Sequence, residues 1–266
     1  PILGNKNGKI VPRGVFFGSK NRIEKYAEYL DSKIKDDKQY NIMIAHANDI
    51  ENGEKLLDCI LKNHSNIKDY ALFKTQDELE LYLDQKNLDV DLILLIGLSD
   101  ILGDEIVDKF KCVGMHPSDL PHYKGGSPIQ NQIIDGVKHT KASLFHLTSK
   151  IDEGDVYLKT PLSLEGSNME QIFKNIQQSS IDLFAEFLDL YPNIAAIPQI
   201  EENLKTHRRR KPSDSRITSD DFQQLDALSL YNKIRCLTDP YPNAYFEDSS
   251  GNKLYFEEVR YEEKKS

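Results

Sequence analysis

His116 closes an apolar stretch, Cys112-Val113-Gly114-Met115-His116, and leads directly into the loop Pro117-Ser118-Asp119-Leu120-Pro121. Asp152 sits in an acidic turn, Lys150-Ile151-Asp152-Glu153-Gly154-Asp155. An imidazole at a strand end, beside a loop rich in Ser, Pro and Gly, can protonate or hydrogen-bond a developing oxyanion. A carboxylate brought to it can orient the ring, favour its charged form, or take a proton from an attacking nucleophile. A structural histidine and a turn-capping aspartate would leave the same trace, so the pair alone leaves both readings open. Other chemistry is thin. His122, His139 and His146 show no metal-ligand spacing and are assigned to structure, and the chain has no P-loop, GxGxxG or GxSxG motif.

The elements that must position these residues follow from the apolar pattern. Residues 14–19, 41–45, 70–73, 92–96 and 112–113 read as strands. Between them, residues 20–36, 51–63, 76–86 and 103–110 carry apolar positions at helical spacing. This alternation predicts an α/β fold: a Rossmann-like, mostly parallel sheet with helices on both faces. Ligands of such sheets bind beyond the carboxyl ends of the strands, where Gly97 and His116 fall. Residues 128–136 predict a short helix with Pro128 in its first turn, Ile129, Ile133 and Ile134 inward, and Gly136 at its end. Strands are expected at 142–147 and 156–160, flanking the acidic turn.

A long helix is expected from Ser167, with Glu170 completing a capping box, to about Leu190. Its inward stripe is Ile172, Phe173, Ile176, Leu183, Phe184, Phe187 and Leu188, and Pro192 stops it. Residues 193–206 read as a linker. A small C-terminal helix and β-hairpin module then follows. Its helix carries Leu230, Ile234 and Leu237, and its aromatic strands, 244–246 and 254–259, are joined by Ser249-Ser250-Gly251-Asn252. The expected division is residues 1–200 and 201–266.

The 266 residues suffice for one large domain with a small appendage and a core that needs no staples. The three cysteines, Cys59, Cys112 and Cys236, are odd in number and far apart, which argues against a disulfide framework and fits a reducing cytoplasm. Residues 1–20 lack the apolar core of a signal peptide, and the longest apolar run, Leu92 to Leu98, is too short to span a bilayer. A net charge of −9 disfavours a nucleic-acid partner. The concentrated basic run His207-Arg208-Arg209-Arg210-Lys211 reads either as a solvated linker or as a diphosphate contact, since Arg forks suit phosphate oxygens.

The segment from Leu92 to Thr160 resembles the folate-dependent formyltransferase family, whose central motif is Asn-x-His-x-Ser-x-Leu-Pro. His116, Ser118, Leu120 and Pro121 fall on it, followed by Lys124-Gly125-Gly126 and Pro128-Ile129. Asp152-Glu153-Gly154 stands where the family has its Asp-x-Gly turn, and Ile96-Gly97-Leu98-Ser99-Asp100-Ile101-Leu102 matches its strand ending in a glycine loop. A second match covers Arg209 to Asp214 and Ile234 to Ala244, similar to a downstream segment of the sugar and tRNA enzymes.

The resemblance implies transfer of the formyl group of N10-formyltetrahydrofolate to a primary amine, without a metal. His116 would stabilise or protonate the oxyanion, and Asp152 would support it and help remove the amine proton. Folate would lie along Leu95, Gly97, Leu98, Ile101 and Leu102, with Lys138, Thr140, Thr148 and Asp152 on the closing loops. Lys124, Gly125, Arg209, Arg210, Lys211 and Tyr241 would serve the acceptor. Gly114 is the departure, standing where the family usually has an asparagine that hydrogen-bonds the formyl oxygen; Ser118 or a water would then substitute. Some sugar-active relatives open the motif with Gly, which makes Gly114 a branch marker.

The short module and the acidity then favour a dTDP- or UDP-linked amino-deoxy sugar as acceptor, in surface polysaccharide or lipopolysaccharide O-antigen biosynthesis. A cytoplasmic homodimer is expected. Methionyl-tRNA formylation and a non-catalytic folate or nucleotide-sugar binder are the competing readings.

Overall fold

The computed structural model describes residues 13–18, 41–45, 77, 81, 92–96, 103–191, 193–200 and 204–264. The strand at 70–73 and the bulk of the helices expected before residue 92 lie outside the described residues. By residue contacts the chain divides into two compact units. The first is Pro1–His116, Leu144–Leu158 and Ile181–Gln199; the second is Pro117–Ser143, Lys159–Ser180 and Ile200–Ser266.

The first unit is built on a six-stranded sheet. Its strands are β1 (Arg13–Gly18), β2 (Asn41–Ala45), β3 (Leu92–Ile96), β4 (Cys112–His116), β5 (His139–His146) and β6 (Val156–Ser163), in the order β2-β1-β3-β4-β5-β6. β5 and β6 belong to this unit through residues 144–146 and 156–158. The β1–β2, β1–β3 and β3–β4 pairs are parallel, and Leu95 stands opposite Gly114 in the β3–β4 register. β4 reaches His116, three residues further than the apolar pair Cys112-Val113 alone indicated. Cys112 and Val113 are both fully buried, as expected of an interior parallel strand covered on both faces.

Helix α1 (Asp104–Lys109) precedes β4. It buries Ile106 and Val107, and its acidic first turn and basic last turn complement the helix dipole. Helix α3 (Met169–Leu190) enters this unit at Ile181 and buries Leu183, Phe184 and Phe187. Tyr157 meets Phe187 edge-on, and Lys111 lies over the rings of both Tyr157 and Tyr191.

In the second unit, helix α2 (Pro128–Ile134) starts with proline, and Gly136 after it adopts a φ of +79°. Ile129 and Ile133 are buried as the spacing predicts, but so are Gln130 and Gln132. The early part of α3 buries Met169, Ile172 and Ile176, while Phe173 is half-buried against Tyr241. Its N-terminus differs from expectation. Asn168 Oδ1 accepts from the Gln171 backbone N–H, the Gln171 side chain reaches back to Ser167 N–H, and Glu170 pairs with Lys174. Asparagine one residue later is an equally good cap, so the helix starts there.

The C-terminal part holds helices α4 (Ser219–Gln224) and α5 (Ala227–Arg235) and a three-stranded sheet of β7 (Arg216–Ile217), β8 (Ala244–Glu247) and β9 (Lys253–Phe256). β8 and β9 form the expected antiparallel hairpin, with Gly251 at φ +84° in the turn. The sequence reading missed β7, which pairs parallel to β8, and α4, which Thr218 and Asp221 cap reciprocally. The fold class is the α/β, Rossmann-like one expected, with a small C-terminal helix and hairpin module.

Candidate active site

β4 delivers His116 to the carboxyl end of a parallel sheet, and the turn between β5 and β6 brings Asp152 to it. His116 Nδ1 lies 3.4 Å from Asp152 Oδ2, with side-chain exposures of 8% and 16%. At that distance and burial the carboxylate is placed to orient the ring. Phe145 of β5 meets the imidazole edge-on, at 6.5 Å between centroids and 88° between planes, which limits its rotation.

The turn carrying Asp152 is held by backbone packing as well as by its own sequence. Asp152 adopts a φ of +55°, a left-handed conformation tolerated by aspartate better than by most side chains. A β-carbon on Gly154 would come 1.7 Å from the His146 carbonyl oxygen, so only glycine fits there. His146 N–H donates to the Asp155 carbonyl at 2.8 Å, closing the turn onto β5. Gln199, half-buried in the segment read as a linker, donates from Nε2 to the carbonyls of Asp152 (2.8 Å) and Gly154 (2.7 Å). Nothing in the local pattern marked it. Thr148 forms a short local turn, accepting from Lys150 N–H and donating to Lys150 O at 3.3 Å each.

Gly114 lies two residues before His116, on the same face of β4. A β-carbon there would meet the Leu147 side chain at 3.1 to 3.3 Å. A leucine thus crowds the position from which a side chain at 114 would project.

Ser118, Lys124 and the basic run belong to the second unit. Ser118 Oγ donates to the His122 carbonyl at 2.6 Å, so its proton serves the loop. Ser143 Oγ donates to the Ser118 carbonyl (2.7 Å) and accepts from Leu120 N–H (3.1 Å), and Gln132 Nε2 donates to the Pro117 carbonyl at 2.8 Å. Lys159 bridges the Asp119 carboxylate and the Leu120 carbonyl. Burial opposes ionisation of Asp119, but the hydrogen bonds from Lys159 and Lys141 outweigh it and hold the carboxyl below its ordinary range. These polar anchors escaped the sequence reading; the one local signal was a serine interrupting the apolar run Ala142-Ser143-Leu144-Phe145.

Lys124 is buried, and its carbonyl accepts from His207 N–H at 2.8 Å. Gly125, at φ +89°, and Gly126 permit this pairing: a β-carbon on either would fall 2.2 to 2.3 Å from the backbone of His207 or Arg209. Tyr123 stacks on His207 at 5.4 Å. Arg208 grips the Asp214 carboxylate with both terminal nitrogens (2.6 and 2.7 Å), and Lys211 N–H also donates to it, holding that carboxyl far below its usual range. Arg210 donates to the Asp214 carbonyl while its Nε is buried with no hydrogen-bond partner among the described residues. Arg209 is exposed. The basic run is therefore bonded to the body of its unit and is not a solvated linker.

Lys138 is exposed, with its carbonyl accepting from Leu164 N–H, and Thr140 is half-buried on β5. Leu95 lies on β3, while Gly97, Leu98, Ile101 and Leu102 fall outside the described residues. Among the described residues, no group of His, Cys, Asp and Glu side chains is arranged to hold a metal ion. Likewise, no helix among them is long and apolar enough to cross a membrane.

A parallel sheet with a histidine and a carboxylate at its carboxyl edge is a scaffold for group transfer. A sequence profile of the formyl transferase family matches residues 42–191, and the chain belongs to that family. It is 29% identical over 164 residues to the methionyl-tRNA formyltransferase of Rickettsia prowazekii (strain Madrid E), covering 60% of this chain and 52% of that protein. The chain spans about half the length of the curated relatives it matches. Its structure is similar to a methionyl-tRNA formyltransferase from Clostridium thermocellum, with a TM-score of 0.67 at 25% identity over 92% of this chain and 97% of that one. It is also similar to a sugar N-formyltransferase from Shewanella sp FDAARGOS_354, with a TM-score of 0.70 at 16% identity over 96% and 99% of the two chains.

Proposed function

We propose that this protein is an enzyme that transfers the formyl group of N10-formyltetrahydrofolate to the amine of a dTDP- or UDP-linked amino-deoxy sugar. The observation that carries the reading is the 3.4 Å approach of His116 Nδ1 to Asp152 Oδ2 at the end of β4, in a chain of the formyl transferase family. The folate donor supplies an activated formyl carbon. The acceptor amine attacks that carbon, the bond from carbon to N10 breaks, N10 takes up a proton and the amine loses one. His116, with Nδ1 turned to Asp152, presents its Nε2 edge to the carbonyl oxygen as negative charge develops there. Asp152 keeps the imidazole in that orientation and accepts the amine proton, directly or through a water. Gly114 offers no side-chain donor, so stabilisation of the oxyanion falls more heavily on His116.

The acidic net charge, which disfavours a nucleic-acid partner, supports a sugar acceptor. We assign its diphosphate to Arg209, Arg210 and Lys211, whose cationic heads suit phosphate oxygens. Tyr241 packs on Phe173 and serves the fold in this reading. The setting would be cytoplasmic synthesis of a surface glycan by a homodimer, the latter checked by light scattering.

The test is incubation with N10-formyltetrahydrofolate and a panel of dTDP- and UDP-linked 3-amino- and 4-amino-dideoxy sugars, followed by mass spectrometry of the products. Formylation of at least one sugar is expected, and His116→Ala and Asp152→Asn should each lower kcat/KM by about 10²- to 10⁴-fold. A second reading, methionyl-tRNA formylation, is favoured by the relatives that match in sequence. Turnover of Met-tRNA with none on any sugar would establish it in place of the first.

A further inference from the structure

We propose that Gln199 is a positioning residue that sets the geometry of Asp152 against His116, an inference that rests on the catalytic reading of that pair. Asp152 combines a left-handed backbone at φ +55° with a carboxylate directed to a buried imidazole, so the carboxylate's position depends on the turn's conformation. Aspartate and Gly154 permit this conformation locally, and Gln199, 47 residues further along the chain, donates to the turn that adopts it. Its amide nitrogen gives both protons to the turn, one to the carbonyl of Asp152 and one to that of Gly154. Two carbonyl oxygens can be met only by the NH2 end of an amide, so the orientation of the side chain is chemically determined.

The cost of this arrangement is visible. Gln199 Oε1 is buried with no hydrogen-bond partner among the described residues, an expense a merely space-filling residue would avoid. The segment carrying Gln199 is itself anchored. Ile197 and Val156 exchange backbone hydrogen bonds of 2.8 and 2.9 Å, fixing the approach of Gln199 to the turn just upstream of Val156. Gln199 thus clamps the turn from outside while Gly154, pressed on the His146 carbonyl, fits it from inside. Rotating the turn would swing the Asp152 carboxylate away from Nδ1, and misplacement of a catalytic group by an ångström can cost orders of magnitude in rate.

The test compares Gln199→Ala and Gln199→Glu with the wild type and with Asp152→Asn. Glutamate fills the same space, but an ionised carboxylate cannot donate to a carbonyl. In the assay with a dTDP-linked 4-amino-4,6-dideoxy sugar, both variants should lose on the order of tenfold to a hundredfold in kcat, with KM little changed. Adding Gln199→Ala to Asp152→Asn should cost little more than Asp152→Asn alone, because the residue acts through that carboxylate.

A readout independent of turnover is the ¹H–¹³C spectrum of the His116 imidazole, which should move in both Gln199 variants toward its position in Asp152→Asn. Absence of transfer by the wild type would sink the functional reading while leaving this spectral comparison intact. A His116 signal unchanged in Gln199→Glu, or a fully additive loss in the double variant, would overturn the positioning role.

Discussion

At the scale of single residues, two glycines carry opposite lessons. Gly154 has no room at all: a methyl group there would overlap the His146 carbonyl. Gly154→Ala should lower the unfolding free energy by about 2–3 kcal/mol, as overpacking does, and reduce formyl transfer by displacing Asp152. An unchanged urea midpoint would show that the turn adapts freely. Gly114 is different, because the atoms nearest to a β-carbon there belong to the Leu147 side chain, which can yield by a few tenths of an ångström. Gly114→Asn alone therefore confounds chemistry with crowding, at a cost of about 1 kcal/mol. The pair Gly114→Asn with Leu147→Ala removes the crowding. If an asparagine donor benefits this site, kcat should rise in the double variant above that of Leu147→Ala alone.

At the scale of elements, the fold depends on side chains that terminate helices and tie down loops. Arg235, the last residue of α5, is buried and donates to the carbonyls of Leu164 (3.0 Å) and Gly166 (2.9 Å) and to Asn232 Oδ1 (2.8 Å). Arg235→Ala would strand those acceptors in the interior, at an expected cost of about 3 kcal/mol, measurable as a fall in the denaturation midpoint. A loss below about 0.5 kcal/mol would mean that water replaces the guanidinium without penalty. The loop after β4 follows the same logic, pinned by Ser143, Gln132 and Lys159. The sequence announced the helix, expected over 128–136 and found over 128–134, and the hairpin, expected over 244–259 and found over 244–256, because periodicity and turn residues are local. It did not announce β7, two residues long, which exists because β8 lies beside it.

At the scale of the whole molecule, Cys112 and Cys236 lie in the interior, and burial pushes each thiol up to about 12. Both should resist alkylation in the native protein and react after denaturation, as peptide mass spectrometry would report. The sign of the pH effect follows. Above the ordinary thiol value of 9.0 the unfolded chain releases these protons while the folded protein retains them, so stability should decline as pH rises through that range. Equal urea midpoints near neutrality and at about pH 10 would contradict this.

The sequence by itself determined the α/β class, the burial of Ile129, Ile133, Ile172, Ile176, Leu183, Phe184 and Phe187 in two helices, and His116 and Asp152 as candidates, because burial periodicity, glycine turns and a motif are written in neighbouring residues. Only the tertiary structure decided that the two come within 3.4 Å, that Gln199 donates to the carbonyls of Asp152 and Gly154, and that the Arg208 fork is engaged by Asp214. Those outcomes rest on hydrogen bonds whose donors and acceptors meet only after the chain has closed: Ser143 to Ser118 spans 25 residues, and Gln199 to Asp152 spans 47. A polar side chain has no periodicity to betray its partner, and its role exists only once burial has removed water as the alternative.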